Sequence, residues 1–271
     1  MCGDDSILMA VIRNIAKQRL AEGRLALGLG LRQARTVDIG MIAKSCGFDF
    51  LFIDCEHNSM DLSVAAEISV AALNQGVTPI VRVPGKEPFH ATRALDNGAQ
   101  GVVVPHVDSA AEARAIVANL RYPPAGHRSI ARASPLVGFE SEPLDQFMRE
   151  ANEETLLVMM LESPAAIAEA DAIAAVEGVD VLLIGTNDLC AEMGIHGQFG
   201  HDRVTAAYAT MVDACRAHGK HAGMAGVRDD VLMQRYVGMG ARFVLAATDL
   251  SMMMEASKAR TTFLRKMEAG L

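Results

Sequence analysis

TLLVMMLESPAAIAEADAIAAVEGVDVLLIGTND, residues 155–188, contains one complete structural unit. Two apolar runs, TLLVMML (155–161) and VDVLLIG (179–185), flank SPAAIAEADAIAAVEG (163–178), whose apolar residues recur at helical spacing. Neither run alternates polar with apolar residues, which is the pattern of a parallel strand covered on both faces. The middle segment opens on Ser163 and Pro164, a cap followed by a first-turn proline, and closes on Gly178. The stretch therefore predicts strand, helix, strand. Each strand also runs into a carboxylate, Glu162 after the first and Asp188 after the second, the latter by way of Gly185, Thr186 and Asn187.

The same grammar extends in both directions. Apolar runs LALGLGL (25–31), FLFID (50–54), PIVRV (79–83) and GVVVP (101–105) precede it, and KHAGMAG (220–226) and ARFVLAA (241–247) follow. Helical patterns cover 63–76, ending in Gly76, and 109–121, where Ser109 and Glu112 form a capping box. Another covers 202–219, from an Asp202 cap to basic residues and Gly219. Eight strands alternating with helices over ~250 residues match an α/β chain folded as a (β/α)8 TIM barrel. An open doubly wound sheet is the alternative. No linker divides residues 1–271, so one domain is expected. The segment 122–150 is the long irregular exception, expected after strand four at the face where barrels do chemistry.

Composition narrows the function. The 271 residues are 51% hydrophobic with a formal net charge of -8, so there is no basic footprint for nucleic acid or an anionic membrane. MCGDDSILMA (1–10) lacks the features of a signal peptide, and no run of ~18 apolar residues predicts a membrane span. Cys2, Cys46, Cys55, Cys190 and Cys215 include no CxxC pair, which points to a reduced, cytoplasmic setting. The 16 Met and absent Trp describe an aliphatic, soft core, in which MMM at 252–254 is expected to pack a helix face.

The ionisable residues fall at strand ends. Glu162 and Asp188 follow successive strands, so a barrel sets them side by side, and two carboxylates suit a hard divalent ion. The competing reading is that each merely caps a helix. In FLFIDCEHNSMDL (50–62), Asp54 and His57 make a possible acid–imidazole pair for base catalysis, against a plain surface histidine. Glu56 stays unassigned. Arg82 lies inside an apolar strand, where a guanidinium needs either a buried partner or a polar pocket to face. His106 and His127 are expected near the rim of strand four, with core or surface roles. GLGLRQ lacks the third glycine of a dinucleotide fingerprint, because Gln33 occupies it.

Together these motifs resemble the HpcH/HpaI aldolase family, the class II pyruvate aldolases that include 4-hydroxy-2-oxoheptanedioate aldolase. The stretches that carry it are FLFIDCEH, PIVRVP, RALDNGAQGVVVPHV, RYPPAGHRS, VEGVDVLLIGTNDLCAEMG and GARFVLAATDL, spread over residues 20 to 265. The resemblance implies a barrel, usually a homohexamer with an exchanged C-terminal helix. It also implies cleavage of 4-hydroxy-2-oxo acids to pyruvate and an aldehyde through a metal-bound enolate. Carried over, Glu162 and Asp188 hold Mg2+, Mn2+ or Co2+. His57 is the base, Arg82 stabilises the oxyanion, Asp54 supports the histidine and Asp96 raises its basicity. Gly185, Thr186, Asn187 and Asp188 form the substrate loop, whose amides receive the pyruvate carboxylate. No Schiff-base lysine stands at a strand end. The chain departs from the usual pattern where MLE replaces QIE, placing Met160 at a substrate-contacting glutamine. GTNDLC replaces GPADLS, Cys55 replaces a glycine, and the loop after Arg128 is shorter. The rivals are a 2-oxo acid decarboxylase, a citrate lyase β-subunit-like lyase, and a metabolite-binding barrel without turnover.

Overall fold

The computed structural model describes residues 10–131 and 133–268; Cys2 and the rest of segment 1–9 lie outside the described residues. Eight parallel strands close into a barrel in chain order. They are β1 (Ala26–Leu31), β2 (Phe50–Asp54), β3 (Thr78–Arg82), β4 (Gly101–Val104), β5 (Leu156–Leu161), β6 (Val181–Gly185), β7 (His221–Ala225) and β8 (Ala241–Thr248). Pairing of β1 with β8, Ala26 opposite Phe243 and Gly30 opposite Thr248, excludes the open sheet. The helices are α1 (Ile15–Ala21), α2 (Ile39–Ser45), α3 (Leu62–Leu73), α4 (Pro88–Asp96), α5 (Ala110–Leu120) and α6 (Leu144–Glu154). They continue with α7 (Pro164–Ala168), α8 (Ala170–Ala174), α9 (Thr186–Glu192), α10 (Asp202–Ala217), α11 (Asp230–Met239) and α12 (Asp249–Glu268).

Burial on both faces explains why the strands do not alternate in sequence. Along β2, Phe50 and Phe52 join the cluster inside the barrel, while Leu51 and Ile53 join the layer under the helices. Phe50 stacks on Phe243 with ring centroids 4.4 Å apart. Gly28 makes that possible, since a Cβ there would stand 2.1 Å from the Phe50 ring. The N-terminal mouth is plugged by α1, whose Ala16 and Leu20 enter the interior cluster. Asn14 fixes the plug by accepting from Lys17 N and donating to the carbonyls of Gln100 and Glu154.

Several local expectations change. The predicted helix 163–178 breaks at Glu169 into α7 and α8. His201, through Nδ1, caps α10 in place of Asp202, which is the first helical residue. Segment 122–150 is not an active-site loop. It follows α5, returns toward β5 at the N-terminal end, and holds a 3-10 turn (Pro135–Val137) and most of α6. Its Tyr122, Leu136, Val137 and Phe147 pack with Val11 and Leu73. His127 goes with it and is exposed. Met252, Met253 and Met254 are also exposed on α12, which buries none of its residues within the chain.

Candidate active site

The C-terminal ends of the strands gather most of the residues singled out in the sequence. Register sets the first contact, because Asp54 at the end of β2 lies directly opposite Arg82 at the end of β3. The pair is bidentate: Arg82 Nε donates to Asp54 Oδ1 at 3.0 Å and Nη2 to Oδ2 at 2.7 Å. Arg82 Nη1 lies 2.9 Å from Glu56 Oε2, an ion pair without the alignment of a hydrogen bond. The guanidinium also lies 5.3 Å from the Phe52 ring centroid. Arg82 is 7% exposed, and the two carboxylates offset the cost of burying its permanent charge. Burial pushes the Asp54 carboxyl up, but Arg82 and the amides of Glu56 and His57 outweigh it and hold the group below its usual range.

Asp54 does not brace the imidazole of His57, contrary to the sequence expectation. It accepts from the backbone N–H of Glu56 at 3.0 Å and of His57 at 3.3 Å, and so shapes the turn rather than the ring. The acid nearest the ring is Glu56, with Oε2 3.6 Å from His57 Nε2. Asp96 is a second correction. It ends α4 at the opposite mouth of the barrel and pairs with Arg128, so within one chain it does not reach His57.

Glu162, just past β5, is 2% exposed. Its Oε2 accepts from His106 N at 3.0 Å, with His106 Nδ1 3.2 Å away, while His106 Nε2 lies 3.5 Å from Glu56 Oε1. His106 adopts φ 52 to do this, a left-handed conformation costing roughly 1–2 kcal/mol for a residue with a side chain. Glu56, unassigned from its motif, and His106, expected only in a core or surface role, thus both belong to the site. The clue for Glu56 was Arg82, a buried cation that needs more acid than Asp54 alone.

Burial pushes the Glu162 carboxyl up to about 7, with the charges of Asp188 and Glu56 adding to it and His106 opposing. Two crowded carboxylates of this kind fit a cation, and oxygen donors suit a hard divalent one. Among the described residues no group of three or more candidate ligands converges, so Glu162 and Asp188 would leave other positions to water and substrate. Gly185 is part of this geometry: a Cβ there would meet Glu162 Oε1 at 2.5 Å and Met160 Cε at 2.8 Å. Thr186 turns its hydroxyl into the wall, bonded to Tyr208 Oη at 2.8 Å and Ala225 O at 2.7 Å.

In front of these groups lies a cavity of about 310 Å³, at the small end of ligand pockets. Asp54, His57, Arg82, Met160 and the run Gly185–Asp188 line it, together with Arg32, Val227 and Arg228. Met160 Sδ sits 4.0 Å from Arg82 Nη1, a weak acceptor where a glutamine would offer a stronger one. Such an arrangement is chemically suited to a small anion beside a hard cation, with an imidazole at the rim. No helix among the described residues is long and apolar enough to cross a membrane.

The profile of a family described as HpcH/HpaI aldolase/citrate lyase matches residues 33–256. The 4-hydroxy-4-methyl-2-oxoglutarate aldolase of Hapsidospora irregularis is 39% identical over 249 residues, 90% of this chain and 92% of that one. A hydroxypyruvate/pyruvate aldolase of Pseudomonas aeruginosa is 37% identical over 244 residues, 90% of each. The crystal structure of an HpcH/HpaI aldolase from Desulfitobacterium hafniense DCB-2 superposes with a TM-score of 0.88 at 29% identity, covering 92% of this chain and 96% of that one.

Proposed function

This chain belongs to the HpcH/HpaI aldolase/citrate lyase family, and on that premise we propose that it is a divalent-metal-dependent aldolase cleaving 4-hydroxy-2-oxo acids to pyruvate and a carbonyl compound. The family assignment makes it a carbon–carbon lyase. One observation carries the substrate reading: paired carboxylates, a pinned guanidinium and an imidazole meet at one rim around a cavity suited to a small acid.

Glu162 and Asp188 would hold the ion, Mg2+, Mn2+ or Co2+. When bound there, a divalent ion supplies Lewis acidity toward the 2-oxo and carboxylate oxygens of the substrate. His57 takes the proton of the C4 hydroxyl. The C3–C4 bond then breaks, its electron pair passes toward the 2-oxo group, and C4 leaves as the carbonyl product. Protonation at C3 completes pyruvate. Arg82 offsets the charge growing on the 2-oxo oxygen, pre-oriented by Asp54 and Glu56 so that little reorganisation is needed. Glu56 steadies the His57 ring, and the start of α9, from Gly185 to Asp188, receives the carboxylate. Met160 shapes the wall and supplies no strong hydrogen bond.

The reading includes a homo-oligomer, a hexamer with α12 exchanged between copies, supported by the exposed Met252, Met253, Phe263 and Leu264 on that helix. It also includes the cytoplasm, supported by unpaired thiols at Cys46, Cys55, Cys190 and Cys215.

Chelation tests the proposal. EDTA should abolish pyruvate release, and Mn2+ or Mg2+ should restore it; full activity after exhaustive chelation would sink the reading. Glu162→Gln should lose ion affinity by calorimetry. It should also remove a pH effect: folding raises this carboxyl above its ordinary 4.5, so the metal-free protein is favoured below that value. Its thermal stability should fall as pH rises through about 7. The Gln variant should flatten that slope.

A further inference from the structure

Two further cations border the cavity, just past the ends of the strands that flank β8. Arg32 follows β1 and Arg228 follows β7, and both line the cavity that Arg82 enters. The buried arginines of this chain are paired with acids: Arg82 with Asp54 and Glu56, Arg121 with Asp180, Arg128 with Asp96. By contrast, among the described residues no carboxylate oxygen comes within 4.0 Å of the guanidinium of Arg32 or Arg228. Arg32 is half-buried and uses Nη2 to hold the His57 carbonyl at 2.8 Å, which leaves donors over. Its backbone is fixed, because Asp249 accepts N–H bonds from Arg32, Gln33 and Ala34.

An unpaired arginine on open surface needs no explanation, since its charge is well solvated. Two such residues bordering one concavity are different, because they concentrate positive potential where a substrate must lie. Leu31, Val227, Leu245 and Ala246 also line the cavity and give it apolar wall. A ligand matched to this outline is charged at both ends. Guanidinium prefers planar oxyanions, which it binds through paired N–H donors.

Resting on the 2-oxo acid reading above, we infer that Arg228, with Arg32, forms a subsite for a second carboxylate carried by the fragment beyond C4. Dicarboxylic 4-hydroxy-2-oxo acids are then the preferred substrates, and 2-oxo acids the preferred partners for pyruvate in the reverse direction. Arg228 is the residue that sets specificity, because it lines the cavity, is exposed, and makes no ion pair with the groups assigned to the chemistry.

A matched pair of substrates tests this. Cleavage of 4-hydroxy-2-oxoglutarate, which ends in a carboxylate, is compared with cleavage of 4-hydroxy-2-oxovalerate, which ends in a methyl group, both with Mn2+. The wild-type protein should favour the diacid. Arg228→Gln should lower the diacid-to-monoacid ratio of kcat/KM by about 10- to 100-fold, the scale of a lost charge-assisted hydrogen-bonded pair, with most of the change in KM. Arg228→Lys should restore part of the ratio. Thermal melting confirms that each variant is folded. If wild type cleaves both and the ratio is unchanged in Arg228→Gln, the subsite is wrong and the aldolase reading stands. If wild type cleaves neither, the aldolase reading fails and takes the subsite with it.

Discussion

At the N-terminal mouth of the barrel, Arg121 donates to the carbonyls of Asn152, Thr155 and Gly178 and to Asp180. At the opposite rim, Arg82 meets Asp54 and Glu56. The two side chains are buried alike, at 4% and 7% exposure. Their surroundings differ. Arg121 spends its donors mainly on backbone that joins α6 to β5 and α8 to β6, in an end closed by α1. Arg82 lines an open cavity beside further acids. A buried charge therefore points to function only where a cavity faces it, and the same residue type is a tie at one end and, in the proposed reaction, a clamp at the other.

That contrast can be broken at three points. His57→Ala should lower kcat/KM by ~10²–10⁴ while Tm and ion affinity stay close to wild type, because a rim histidine 48% exposed in its side chain supports little of the fold. A collapse of ion binding would make His57 a ligand instead. Arg121→Ala should act in the opposite way. It strands several carbonyls and Asp180, so urea unfolding should show a loss of about 3–5 kcal/mol, with kcat/KM of the folded fraction little changed. Asp96→Asn is the mildest. Its side chain is 30% exposed and the Asn amide oxygen can still accept from the buried Arg128, so the cost should be about 1–2 kcal/mol, with no movement of the pH–rate profile. A shifted profile would mean that Asp96 reaches the imidazole after all, and the division between the two ends would need redrawing.

The strands were legible because both of their faces are buried, which writes uninterrupted apolar runs into the chain. Glu162, Asp188 and Arg82 were legible because they interrupt or end those runs. Glu56 was not, since an acid in a polar turn looks solvated until Arg82 is seen beside it. His106 was hidden for a different reason: its left-handed backbone has no glycine or asparagine to announce it. Asp96 shows the limit of motif matching, which supplied a role but not a position. The direction of α4, running back to the N-terminal end, decides where that carboxylate points. Segment 122–150 misled in the same manner, because length says that a loop exists and not which mouth of the barrel it serves.

Gly185 carries a consequence for inheritance. It has no side chain to react, bind or pair, yet any atom added at its Cα lands on the Glu162 carboxylate. Gly28 is intolerant in a comparable way, but there the added atom strikes the Phe50 ring. A survey of missense variants scored by activity alone would rank the two glycines together. Scored by cellular abundance as well, they should separate: losses at 28 would follow missing protein, and losses at 185 would persist in protein that is present. A variant of the second kind would be silent in any assay of folding, which is how a residue without chemistry can pass on a purely chemical defect.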